Sequence, residues 1–147
     1  MVSSTGIIEI EAPATISITS GIANNVGTNS LCNGSSFNPP AALMTVKIQN
    51  ASQLIVDPST PLPNGLSLSL SASGSLNEYE VVGQINETVV VPKLFTVNLI
   101  TVGAVCDEAS IQITIEVEPS PVITPADASL VNQTECSRSP IDPIRFE

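Results

Sequence analysis

Ser110-Ile-Gln-Ile-Thr-Ile-Glu-Val-Glu118 is the stretch on which the fold class turns. Ile111, Ile113, Ile115 and Val117 fall on one side of an extended chain, and Gln112, Thr114, Glu116 and Glu118 fall on the other. Side chains alternate with period two in a strand, so this pattern predicts a half-buried strand of an antiparallel sheet. Outward from it the same alternation recurs at Gly6 to Glu11, Ala14 to Ser20, Leu43 to Gln49 and Gln53 to Val56. It continues at Leu66 to Leu70, Glu78 to Ile85, Thr88 to Val91 and Leu94 to Val102. Turn signals such as Asp57-Pro58, Pro63-Asn64-Gly65 and Ser73-Gly74-Ser75 separate these runs. No segment carries a helical period. Short strands at this spacing predict an all-β sandwich or barrel.

Composition agrees. Of the 147 residues, 42% are hydrophobic but only 3% aromatic, and the apolar set is mostly Val, Ile and Leu, which suit a pleated sheet. Lys and Arg number 4 against 14 Asp and Glu, a net charge of −10, and there is no His and no Trp. Without imidazole there is no Ser-His-Asp or Cys-His catalysis, no His-ligated zinc and no switch near neutral pH. Four scattered cations do not neutralise a run of phosphates, so nucleic acid is not an expected partner.

The opening Met1-Val-Ser-Ser-Thr-Gly6 has no basic residue and runs straight into alternation, unlike a signal peptide or an anchor. No run has the apolar length needed to span a bilayer, so membrane insertion is not expected. The abundance of Ser, Thr, Asn and Pro nevertheless resembles an exported chain, and a piece of something longer is the simplest expectation. Three cysteines, an odd count, agree with a partner lying elsewhere.

An internal repeat organises the ends. Ile8-Glu9-Ile10-Glu11-Ala12-Pro13 matches Ile115-Glu116-Val117-Glu118-Pro119-Ser120, 107 positions later. Asn29-Ser30-Leu31-Cys32-Asn33-Gly34-Ser35 matches Gln133-Thr134-Glu135-Cys136-Ser137-Arg138-Ser139, 104 positions later. This period fits the roughly 100 residues of an immunoglobulin-like sandwich. Residues 1–13 then read as the last strand of one repeat, 14–119 as a complete repeat, and 120–147 as the opening strands of the next. Cys136 is the counterpart of Cys32 and is unpaired within this chain. Cys32 and Cys106 form the expected disulfide, for which the chain-entropy model gives about 4 kcal/mol of stabilisation. Free thiols in a reducing compartment and a metal site are the alternatives. Zinc is disfavoured by the lack of His and of any Cys-x-x-Cys pair.

The ordered set Gln133-Thr134-x-Cys136-x-x-x-Pro140-Ile141, Leu62-Pro63-Asn64-Gly65-Leu66, Val82-Gly83-Gln84-Ile85, Phe95-Thr96-Val97, Cys106 and Ile113-Thr114-Ile115-Glu116-Val117 resembles a known pattern. It is similar to the tandem repeats of giant cell-surface proteins of Bacteroidetes, including gliding-motility adhesins. The resemblance implies an immunoglobulin-like fold, export to the outer surface, neighbouring repeats as partners, and service as a stalk or adhesive array.

Candidate sites are few. Glu9, Glu11, Glu116 and Glu118 place paired carboxylates just before Pro-containing junctions, where Ca²⁺ would find oxygen ligands between units. No Asp-x-Asp-x-Asp run accompanies them, and solvent-facing strand positions are the preferred reading. Otherwise no cofactor is expected. Fourteen dispersed acids do not make the paired carboxylates of a glycosidase, so no catalytic residue is assigned and no enzyme is expected. A carbohydrate-binding or accessory module of a secreted enzyme is the alternative function, with surface polysaccharide as its partner. Tyr79 is the one tyrosine available to such a module, and it reads instead as a core or edge residue. Asn-x-Ser/Thr triplets at Asn33, Asn50, Asn86 and Asn132 are at the level that this composition produces by chance. The expected function is therefore a structural or adhesive module of an exported surface filament, with its ligand unassigned.

Overall fold

The structure, a computed structural model, describes residues 10–26 and 31–120. The described residues are all-β, with no helix, and hence none long and apolar enough to cross a membrane. Nine strands form two sheets. The first sheet holds β1 (Thr15–Gly21), β3 (Ser36–Phe37), β4 (Met44–Gln49), β6 (Leu66–Leu70) and β7 (Glu78–Gln84). The second holds β2 (Leu31–Cys32), β5 (Gln53–Val56), β8 (Lys93–Val102) and β9 (Ser110–Glu118).

In the first sheet β1 pairs with β4, β4 with β7, and β7 with β6, all antiparallel. The short β3 also pairs with β7, Phe37 opposite Gly83, further along than the β4 contacts. In the second sheet the order is β2-β9-β8-β5, antiparallel except for β2, which runs parallel to β9.

Alternation places the core. Ile113, Ile115 and Val117 of β9 are buried while Thr114, Glu116 and Glu118 between them are half-buried. Val97 and Leu99 of β8 and Leu54 of β5 complete that inner face. Met44, Val46 and Ile48 of β4 with Tyr79 and Val81 of β7 supply the opposing face, and both sets belong to one hydrophobic cluster. Two apolar sheet faces removed from water against each other are the main driving force for this arrangement. Phe37 and Phe95 pack against the same cluster from its margin.

Most expected strands form, and β5 and β6 have the expected bounds. Thr88 to Val91 forms no strand. Its neighbour Glu87 turns inward and gives its N–H to the Asn33 side-chain oxygen at 2.8 Å, a side-chain partner in place of a neighbouring strand. The short strands β2 and β3 go beyond the sequence reading, because two residues carry no period. Of Gly6 to Glu11 only Ile10 and Glu11 are described, without strand structure. Residues 121–147, which hold Cys136 and nearly all of the expected next repeat, lie outside the described residues, as does Glu9.

Candidate functional site

The chain enters and leaves the two-sheet core at opposite ends. At one pole the incoming chain is held by three contacts. Ala14 N–H donates to the Asp107 carbonyl at 3.2 Å, Asn50 Nδ2 donates to the Pro13 carbonyl at 3.0 Å, and Cys106 Sγ donates to the Glu11 carbonyl at 3.3 Å. Asn50 takes a positive φ of 55°, a conformation that asparagine tolerates, and this lets the β4–β5 turn face the incoming strand.

At the other pole the outgoing chain is held by β2. Leu31 pairs with Val117 and Cys32 with Glu118, and Asn33 N–H donates to the Glu118 carbonyl at 3.0 Å. Ser120 Oγ then donates to the Asn33 carbonyl at 2.8 Å. Asn33 is thus a hub, since its side-chain oxygen also takes the Glu87 N–H. Glu87, 7% exposed, accepts the Asn64 N–H on Oε1 at 2.7 Å, and its Oε2 lies 3.4 Å from Lys93 Nζ. Lys93 in turn stands 4.4 Å from the centre of the Phe95 ring, within cation–π range. A polar recess of about 330 Å³ opens beside this network, lined by Asn33, Gly34, Gly65, Gln84, Ile85 and Asn86.

The expected Cys32–Cys106 disulfide is not formed; both thiols are free. The reason is topological. Cys32 lies beside Glu118 at one end of β9, and Cys106 lies in the β8–β9 loop that precedes its other end. Nine extended residues separate the ends by roughly 26 Å at about 3.3 Å per residue, while a disulfide needs Cα atoms within about 7 Å.

The acidic pairs are divided in the same way. Glu116 and Glu118 stand on β9 and Glu11 stands at the opposite pole, and the described residues contain no group of three Asp, Glu, Cys or His able to hold a metal. Tyr79 is buried in the core and forms no exposed platform for a sugar ring. A second groove of about 480 Å³ lies between β5 and β6, with Asp57 and Pro58 at one end and no aromatic residue in its lining. Asp57 accepts the Ser59 N–H at 2.9 Å and Ser59 Oγ at 2.8 Å, and these bonds hold its carboxyl below the ordinary value of 3.8. They close the Asp-Pro turn that the sequence marks.

Glu87 and Asn33 escaped the sequence reading. A glutamate ahead of Thr88-Val89-Val90-Val91 looks like a solvent-facing strand residue, and only the fold brings Asn64 and Lys93 to it. The available signal was Asn33-Gly34, a turn pair directly after a cysteine, with Gly34 at a φ of 92°.

No protein-family model matches the chain, and no curated protein shows significant similarity to it.

Proposed function

We propose that this chain is a structural and adhesive repeat of a large exported surface filament, resembling the tandem repeats of giant Bacteroidetes surface proteins. The fold would be immunoglobulin-like. Its support is the strand order, β1-β4-β7-β6 facing β2-β9-β8-β5, with consecutive strands shared between sheets as in a seven-stranded Greek-key sandwich with a split first strand.

One observation carries the functional reading. The incoming chain at Pro13 and the outgoing chain at Glu118 are secured at opposite poles, each by its own hydrogen bonds. Units joined this way continue in line. An array then grows in length, and weak contacts repeated along it add through avidity. The net charge of −10 in the chain would keep neighbouring filaments apart.

Small-angle scattering on chains carrying one, two and four successive copies tests this. The maximum dimension should rise linearly, by roughly 40 Å per copy for strands of this length with their loops. Compact multimers whose dimension grows far more slowly would refute an in-line filament. Deleting copies from the parent protein should shorten the surface filament and weaken attachment without removing any enzymatic activity.

A further inference from the structure

The two thiols lie at opposite poles, yet each sits against a glutamate that holds the same place in the repeat. Cys32 is the register partner of Glu118, and the next residue, Asn33, donates its N–H to the Glu118 carbonyl oxygen. Cys106 Sγ lies 3.3 Å from the carbonyl oxygen of Glu11. Glu11 and Glu118 correspond, because Ile8-Glu9-Ile10-Glu11 recurs as Ile115-Glu116-Val117-Glu118. Where one unit runs into the next, Glu118 ends the ladder of the first and serves as the Glu11 of the second. Cys32 of the first unit and the Cys106 counterpart of the second then converge on one residue.

We infer that the cysteines form disulfides between consecutive units, each Cys32 with the next unit's counterpart of Cys106. This rests on the tandem-filament proposal above. Neighbouring strands are about 4.8 Å apart, which sets Cys32 against Glu118, and the second thiol is within hydrogen-bonding reach of the same residue, so both cysteines border one peptide, the convergence that a disulfide with its Cα separation of about 4.4–6.8 Å requires. Cys106 is exposed and Cys32 half-buried, which makes Cys106 the accessible first reactant. Its thiolate attacks a low-molecular-weight disulfide, releasing one thiol and leaving a mixed disulfide. The Cys32 thiolate of the preceding unit displaces the second thiol. Two protein thiols thus lose two protons and two electrons, and the small disulfide is reduced to two thiols. The bond spans the link at Glu118 and locks successive units against rotation about it.

The test joins two copies through the matched position, residues 1–118 running directly into residues 12–147, and oxidises the chain with oxidised glutathione. Peptide mass spectrometry should find Cys32 of the first copy bonded to Cys106 of the second, and Cys32→Ser in the first copy should abolish that peptide. The single 147-residue chain treated alike should yield no peptide joining its own Cys32 to its own Cys106. A Cys32–Cys106 bond within one copy, or glutathione adducts alone, would overturn the assignment. Limited proteolysis of the joined chain separates the two proposals. Two protected units without the bond would sink the disulfide and leave the filament standing, whereas one protected unit would sink both.

Discussion

The side-chain amide of Asn25 holds both backbone groups of Glu116: Nδ2 donates to the Glu116 carbonyl at 2.9 Å, and Oδ1 accepts the Glu116 N–H at 2.7 Å. Asn25 is fully buried, and its neighbours Ala23 and Asn24 already pair with Thr114. An amide that offers one donor and one acceptor imitates a strand residue. It carries the edge of β9 from the Thr114 contact to the Leu31–Val117 pair as the chain crosses between the sheets. Asn25→Ala removes the acceptor of the Glu116 N–H and one donor to its carbonyl, and should cost about 2 kcal/mol in urea unfolding, with an unchanged m-value. Asn25→Asp should cost at least as much above pH 5, because a carboxylate has no donor for the Glu116 carbonyl. A loss under about 0.5 kcal/mol would show that water replaces the amide.

Gly83 and Gly65 approach each other at the β6–β7 pairing, with φ of 122° and 86°. A Cβ on Gly83 would run into the Gly65 carbonyl oxygen, and one on Gly65 would run into that of Gln84. Gly83→Ala should therefore cost about 3 kcal/mol, combining the positive φ with backbone displacement. Gly74, at a φ of 81° with open space around it, should lose only about 1 kcal/mol on the same change. Equal effects at the two sites, measured by thermal unfolding, would mean that close approach contributes nothing.

Glu87 and Lys93 form an ion pair of unequal members, 7% and 52% exposed. Lys93→Ala should cost below about 1 kcal/mol, because the lysine end is solvated. Glu87→Ala also strips the Asn64 N–H of its acceptor and should cost about 2 kcal/mol. Glu87→Gln retains an oxygen for Asn64 and should fall between them. A lysine variant as damaging as Glu87→Ala would place the energy in the ion pair itself.

Asp57 titrates below its ordinary 3.8 because the Ser59 N–H and hydroxyl stabilise the carboxylate. A lowered folded value means that the stabilisation is complete above the unfolded value and is lost as pH falls through the folded one. The stability gap between the natural chain and Asp57→Asn should be constant from pH 7 to about 5 and then shrink towards pH 2. A gap that holds steady down to pH 2 would show that the turn is indifferent to the charge.

The all-β class was legible in Ser110 to Glu118 and its echoes, because period-two alternation needs only residue order and burial follows from it. Ile113, Ile115 and Val117 point inward as that order requires. Thr88 to Val91 has strand composition without a partner strand, and composition says nothing of partners. Glu87 and Asn33 owe their roles to residues distant in the chain.

Alternation, the positions of the turns, the acidic charge and the matching of Glu11 with Glu118 follow from residue order, because each is a property of one chain read along its length. The places of the thiols follow from strand pairing instead. The repeat offered Cys32 and Cys106 as a pair within one unit, but β2 runs parallel to β9 and meets it at the end away from the β8–β9 loop. A rigid strand of nine residues keeps the two sulfurs apart, and strand direction is a property of pairing that no linear spacing encodes.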